Sequence, residues 1–98
     1  RGWQLNNDVA EALSMKPRVR YIEKNTFGSF HMYVDDEVNE VVVVGLVTNI
    51  CVINNCLILR NVYPKKQISV VAECCAGTTP EDHQKALDIM KTNHINIL

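Results

Sequence analysis

The chain has 98 residues, a formal net charge of −1 and 47 % hydrophobic residues, which bounds it to at most one domain built on one closed core. So balanced a charge offers no electrostatic hold on nucleic acid or an anionic membrane surface. There is no signal peptide and no run of roughly 18 or more apolar residues.

The four cysteines (Cys51, Cys56, Cys74, Cys75) contain no CxxC pair, and the three histidines are scattered, so no zinc site is expected. Adjacent Cys74 and Cys75 cannot bridge without strain, and Cys51 and Cys56 fall five residues apart in one predicted helix. All four are therefore read as thiols of a reducing, cytoplasmic compartment.

Taken in order, Asn7 or Asp8 caps a short predicted helix through Val9, Ala10 and Leu13, which Pro17 ends. Residues 18–23 alternate as a short strand running into Lys24, and Asn25 to Phe30 is a loop holding Gly28 and Ser29. The acidic stretch Asp35 to Glu40 reads as a turn or a remnant of a helix. Val41 to Val44 is an unbroken β-branched run, the pattern of a parallel strand buried on both faces, and Gly45 closes it.

Thr48 is the expected N-cap of a largely buried helix from Asn49 to Arg60. Asn61 to Gln67 is a turn around Pro64, and Ile68 to Ala72 a second apolar strand. Thr79-Pro80-Glu81-Asp82 is a helix start, with Thr79 as cap, Pro80 in the first position and two acids at the positive end of the dipole. Ala86, Leu87 and Met90 form its buried stripe, and Ile95 to Leu98 is a last strand. Strands alternating with helices imply βαβ units of an α/β domain.

The stretch that carries chemistry is VVVVGLVTNICV, Val41 to Val52. It puts Cys51 in the first turn of a helix, just beyond the carboxyl end of a parallel strand, where open α/β sheets bind their ligands. The helix N-terminus favours a thiolate there, and first-turn N–H groups can hold a developing oxyanion. A buried structural cysteine is the competing reading on these grounds alone.

Three segments resolve the choice. GLVTNICV resembles the G-x-x-T-x-x-C-V signature of isochorismatase-like cysteine hydrolases. EKNTFGSF resembles that family's lysine motif, and AECCAGTTPEDHQKAL its later strand, turn and helix with a P-E-x-H-x-x-A-L pattern. The three occur in family order across residues 24 to 87, so the chain resembles the C-terminal portion of an isochorismatase/nicotinamidase superfamily domain.

The resemblance implies a three-layer α/β/α fold with a parallel, Rossmann-like sheet whose N-terminal strands are missing here, residues 1–98 being a partial domain that opens on Arg1-Gly2-Trp3 as part of something longer. It implies Cys51 as nucleophile, Lys24 as the triad lysine, backbone N–H groups of Val47 and Cys51 as the oxyanion hole, and a cis peptide at Leu46–Val47. Phe30 either lines the pocket or packs in the core. Trp3 is read as core, and His83 as structural.

The chain also departs from the family. The triad Asp, and the Asp-x-His motif by which nicotinamidase-type members bind a divalent metal, precede the lysine motif, where this chain has too little sequence. Asp8 lacks the apolar strand that would make it the triad acid. No cofactor is therefore expected in this chain. Between Phe30 and Val41 there is also too little sequence for the family's usual helix.

The implied activity is hydrolysis of a small amide, nicotinamidase-like, through a Cys51 thioester in the complete protein. The expected partners are a small-molecule amide substrate, neither nucleic acid nor membrane, and either further copies as a homo-oligomer or an N-terminal companion segment. Two alternatives are a non-catalytic isochorismatase-like fragment acting as an assembly partner and an isochorismatase-type hydrolase of another small molecule.

Overall fold

The computed structural model describes Ile22 and residues 26–98. The predicted helix after Asp8, the strand before Lys24, and Trp3, Asp8 and Lys24 themselves lie outside the described residues. In chain order the elements are strand β1 (Glu40–Leu46), a π-helical turn (Thr48–Val52) leading into helix α1 (Ile53–Val62), strand β2 (Gln67–Ala76), helix α2 (Pro80–Thr92) and strand β3 (Asn96–Ile97). The three strands form one parallel sheet in the order β1-β2-β3.

Val52, Cys56 and Leu59 recur at helical spacing and are buried together with Ala86, Leu87 and Met90 of α2, Ile68 and Val70 of β2, and Ile95. This is the stripe that drives helix formation, since packing of an apolar face stabilises a short helix more than propensity does. Because one cluster contains both helices and the alternate strand residues Ile68 and Val70, the two helices cover the same face of the sheet.

The opposite face carries Val42 and Val44, 48 % and 54 % exposed. This corrects the expectation of a first strand buried on both faces: both described helices lie on the other side. On the same face Ser69 is buried, its hydroxyl donating to Glu40 Oε2 (2.7 Å).

β2 runs four residues beyond the apolar run, to Ala76. The pairing shifts after Val43↔Val70 to Gly45↔Cys75, so β2 holds a bulge opposite Val44. Gly45 has φ 129°, a conformation that other residues adopt only with strain.

The amino ends of the strands are tied by two cations. The Lys66 ammonium donates to the carbonyls of Asp35 (3.0 Å), Asp36 (3.3 Å) and Val38 (2.5 Å). The Arg60 guanidinium donates to those of Tyr63 (3.1 Å), Pro64 (2.8 Å), Lys66 (2.5 Å) and His94 (3.2 Å). Residues 31–39 contain no helix and reach β1 through a turn at Asp36 and Glu37. No described helix is long and apolar enough to cross a membrane.

Candidate active site

β1 delivers the chain to the carboxyl edge of the sheet, and the Leu46–Val47 peptide that follows is cis. The next turn is wider than an α-turn. The Val52 N–H donates to the Val47 carbonyl (3.1 Å) across five residues, and the Ile50 N–H donates to the same oxygen (3.0 Å). Such turns are rare and recur at functional sites. Cys51 lies in this turn, half-buried, while Cys56 one turn later is fully buried. None of the four cysteines is in a disulfide.

Thr48 does not cap the helix. The residue before the turn is Val47, in extended backbone and without a side-chain cap. The Thr48 hydroxyl is instead fully buried and 2.7 Å from Nδ1 of His83, in the first turn of α2. A tertiary partner has outcompeted the local one. Next to it, the Asn49 amide accepts from the Thr78 N–H (3.0 Å) and donates to the Thr78 hydroxyl (3.1 Å), which in turn donates to Asp82 Oδ2 (2.9 Å). The first turn is thereby joined to the connection between β2 and α2.

On the other side, Asn55 stands four residues after Cys51, on the same helix face. Its Oδ1 accepts from the N–H of buried Ser29 (2.9 Å), and the Ser29 hydroxyl accepts from the His31 N–H (3.2 Å). The later part of the lysine motif is thus docked on the Cys51 helix. Ser29 is five residues beyond Lys24, a span of at most roughly 18 Å of extended chain. Phe30 is 81 % exposed, which removes the core-packing alternative.

Burial mutes two of the other thiols. Burial, with a smaller contribution from the nearby Cys75, pushes the Cys56 thiol up to about 12. Burial also raises Cys75, opposed by a backbone hydrogen bond at Gly45 and reinforced by Cys74. Among the described residues no three His, Cys, Asp or Glu side chains come together as metal ligands. Sequence reasoning missed Asn55 and the Asn49–Thr78 pair. The one signal for Asn55 was a polar residue one turn from Cys51, beside the buried Cys56.

A parallel α/β sheet with a cysteine in the turn beyond its carboxyl edge defines a class of α/β domains with ligand sites at that edge. The isochorismatase domain family matches residues 4–97, and the chain belongs to that family.

Among solved structures, the nicotinamidase of Staphylococcus aureus is 25 % identical, with a TM-score of 0.75 over 93 % of this chain and 62 % of its own. The pyrazinamidase/nicotinamidase of Streptococcus mutans is 26 % identical, with a TM-score of 0.75 over 93 % and 53 %. The pyrazinamidase of Pyrococcus horikoshii, in complex with zinc, shares the fold at 22 % identity and a TM-score of 0.61, over 78 % and 45 %. The chain therefore spans less than two thirds of the length of these proteins. No curated protein sequence matches it.

Proposed function

We propose that the complete protein hydrolyses a small amide of the nicotinamide type through a thioester on Cys51. The observation that carries this reading is the position of Cys51, in the first helical turn beyond the carboxyl edge of a parallel strand, within a chain of the isochorismatase family. The nicotinamidase neighbours support the choice of substrate class.

In the proposed reaction the Cys51 thiol gives its proton to the triad carboxylate that the complete protein would supply beside Lys24, and the sulfur attacks the amide carbon. The carbonyl π-bond opens, and the resulting oxyanion is held by the backbone N–H groups of Val47 and Cys51. The C–N bond then breaks, the stored proton leaves with ammonia, and a thioester remains. Water attacks that thioester, releasing the carboxylic acid and restoring the thiol. Lys24 also balances the negative charge of the sulfur as it forms.

The test uses the full-length protein with nicotinamide, following ammonia release and the mass of the Cys51 peptide after acid quench. Ammonia release together with an acyl mass gain on Cys51 is the expected result. Turnover retained by Cys51→Ser would refute the reading, because a serine hydroxyl in the same place is far less acidic. Absence of turnover in the wild-type protein would favour the non-catalytic alternative.

A further inference from the structure

We propose that Thr48 and His83 form a positioning pair that fixes the oxyanion-binding turn ahead of Cys51, an inference that rests on the amide-hydrolase reading above. Thr48 directly follows Val47, one of the two residues assigned to the oxyanion hole, and precedes Cys51 by three. Its side chain is fully buried, and its hydroxyl lies 2.7 Å from His83 Nδ1. A buried hydroxyl with one good partner has a single low-energy orientation, so it fixes its own backbone as well as its side chain.

The partner is itself closely packed. The His83 N–H donates to the Thr79 carbonyl (2.9 Å), closing the first turn of α2. Behind it, a Cβ added at Gly77 would fall 2.8–2.9 Å from the backbone N and Cα and from Cβ of His83. Real Cβ atoms do not approach backbone so closely, so the end of β2 closes directly on His83. The imidazole is thereby referenced to the sheet, and through Thr48 the turn carrying the reactive groups is referenced to it too. The two hydrogen bonds between Asn49 and Thr78 run beside this link and keep the same two segments in register.

Such a pair touches no substrate and donates nothing to it. Its effect is on where the oxyanion donors stand, and that placement matters in the transition state rather than in substrate binding. A displacement of about 1 Å at such a site costs up to roughly 100-fold in rate. Alkylation of the same sulfur by iodoacetamide builds no oxyanion, so it is blind to donor placement and sensitive only to the thiol.

The test compares His83→Ala, Thr48→Val and the double variant with His83→Asn and Thr48→Ser, all in the full-length protein. Nicotinamide turnover, the Cys51 iodoacetamide rate and the thermal midpoint are measured for each. The first two variants are expected to lose roughly 10- to 100-fold in kcat with KM held within about 3-fold, and with Cys51 alkylated at close to the wild-type rate. The double variant is expected to be no worse than the poorer single one, because the two side chains act as one unit. His83→Asn places an amide oxygen near the former Nδ1, and Thr48→Ser keeps the hydroxyl; both are expected to recover most of the turnover. Should His83→Ala not fold, His83→Gln, which keeps bulk while displacing the hydrogen-bonding atom, takes its place.

An unchanged kcat with a lowered thermal midpoint would overturn the pair as a positioning device. So would a parallel fall in kcat and alkylation, which would place the effect on the thiol. A wild-type protein without amide turnover overturns the underlying reading, and this inference with it, before any variant is made.

Discussion

Cys56 provides a quantitative check on the packing behind Cys51, the proposed nucleophile. Its side chain is fully buried between α1, β2 and α2, and burial moves it from 9.0 to about 12. At pH 8 about one Cys56 in 10⁴ is then thiolate, whereas an unperturbed thiol near 8.5 is roughly one-quarter ionised. In the folded protein Cys56 should therefore react with iodoacetamide at least 10³-fold more slowly than an ordinary exposed cysteine, and Cys51 should be labelled first.

The same shift makes stability depend on pH. The neutral thiol is the folded form, so the contribution is complete below the unfolded value and is lost as pH rises toward 12. Between pH 7.5 and 10.5 the loss is about 2 kcal/mol, rising toward roughly 4 kcal/mol above pH 12. Urea unfolding of wild type and Cys56→Ala across that range isolates the effect, because only the wild type has the group. The variant is expected to be less stable at neutral pH, from the lost packing, and the gap to wild type should narrow by about 2 kcal/mol by pH 10.5. A gap that stays constant with pH, or rapid labelling of Cys56 before unfolding, would refute the buried assignment.

Cys51→Ser and Lys24→Ala should each lower nicotinamide turnover by at least about 100-fold, and the double variant should be little worse than the poorer single one; independent, multiplicative losses in a kinetic cycle would place Lys24 in another role. Arg60→Met keeps the apolar stem and removes four hydrogen bonds to backbone carbonyls. Those carbonyls partly regain water, so urea unfolding should read a loss of about 2–4 kcal/mol. His94 ends α2 with φ 66°, and the Ile95 N–H donates back to the Met90 carbonyl (2.9 Å), a C-terminal motif that glycine suits best. His94→Gly should therefore stabilise by roughly 0.5–1 kcal/mol and raise the thermal midpoint by a few degrees.

Local signals were read well where chemistry and environment agree. Thr79-Pro80 does open α2, with the Asp82 N–H donating to the Thr79 hydroxyl (3.0 Å), and Ala86, Leu87 and Met90 are its buried residues. The strand–helix–strand order and the parallel sheet followed from the same patterns.

The misreadings share a cause, which is that the deciding partner is distant in sequence. Thr48 has the chemistry of a cap but meets His83, 35 residues away. Glu73, Cys74 and Cys75 end the apolar run, yet the strand continues because the backbone pairs with Gly45 and Leu46 beyond the bulge. Asn61 was read as the start of a turn, but its amide donates to the Leu57 carbonyl (2.7 Å) within α1, which runs on to Val62. Lys66 looks like an ordinary turn lysine until the loop from Asp35 to Val38 folds onto it.

These long-range contacts divide the molecule by function. Because the strands are parallel, their amino ends gather on one side and their carboxyl ends on the other. The amino side holds Arg60 and Lys66 on seven backbone carbonyls. The carboxyl side holds the Cys51 turn, with Thr48 on His83 and Asn49 on Thr78. Cations on carbonyls suit loops that need only be held, since the Lys66 ammonium and the Arg60 guanidinium each donate to several oxygens at once. Hydrogen bonds between short side chains suit a turn whose atoms must stand in one place. On the amide-hydrolase reading the only cation required there is Lys24, and its loop reaches the Cys51 helix through the neutral contact between Ser29 and Asn55. Substitutions on the amino side should therefore move stability while leaving Cys51 reactivity alone. Substitutions on the carboxyl side should move catalysis further than their cost in stability would account for.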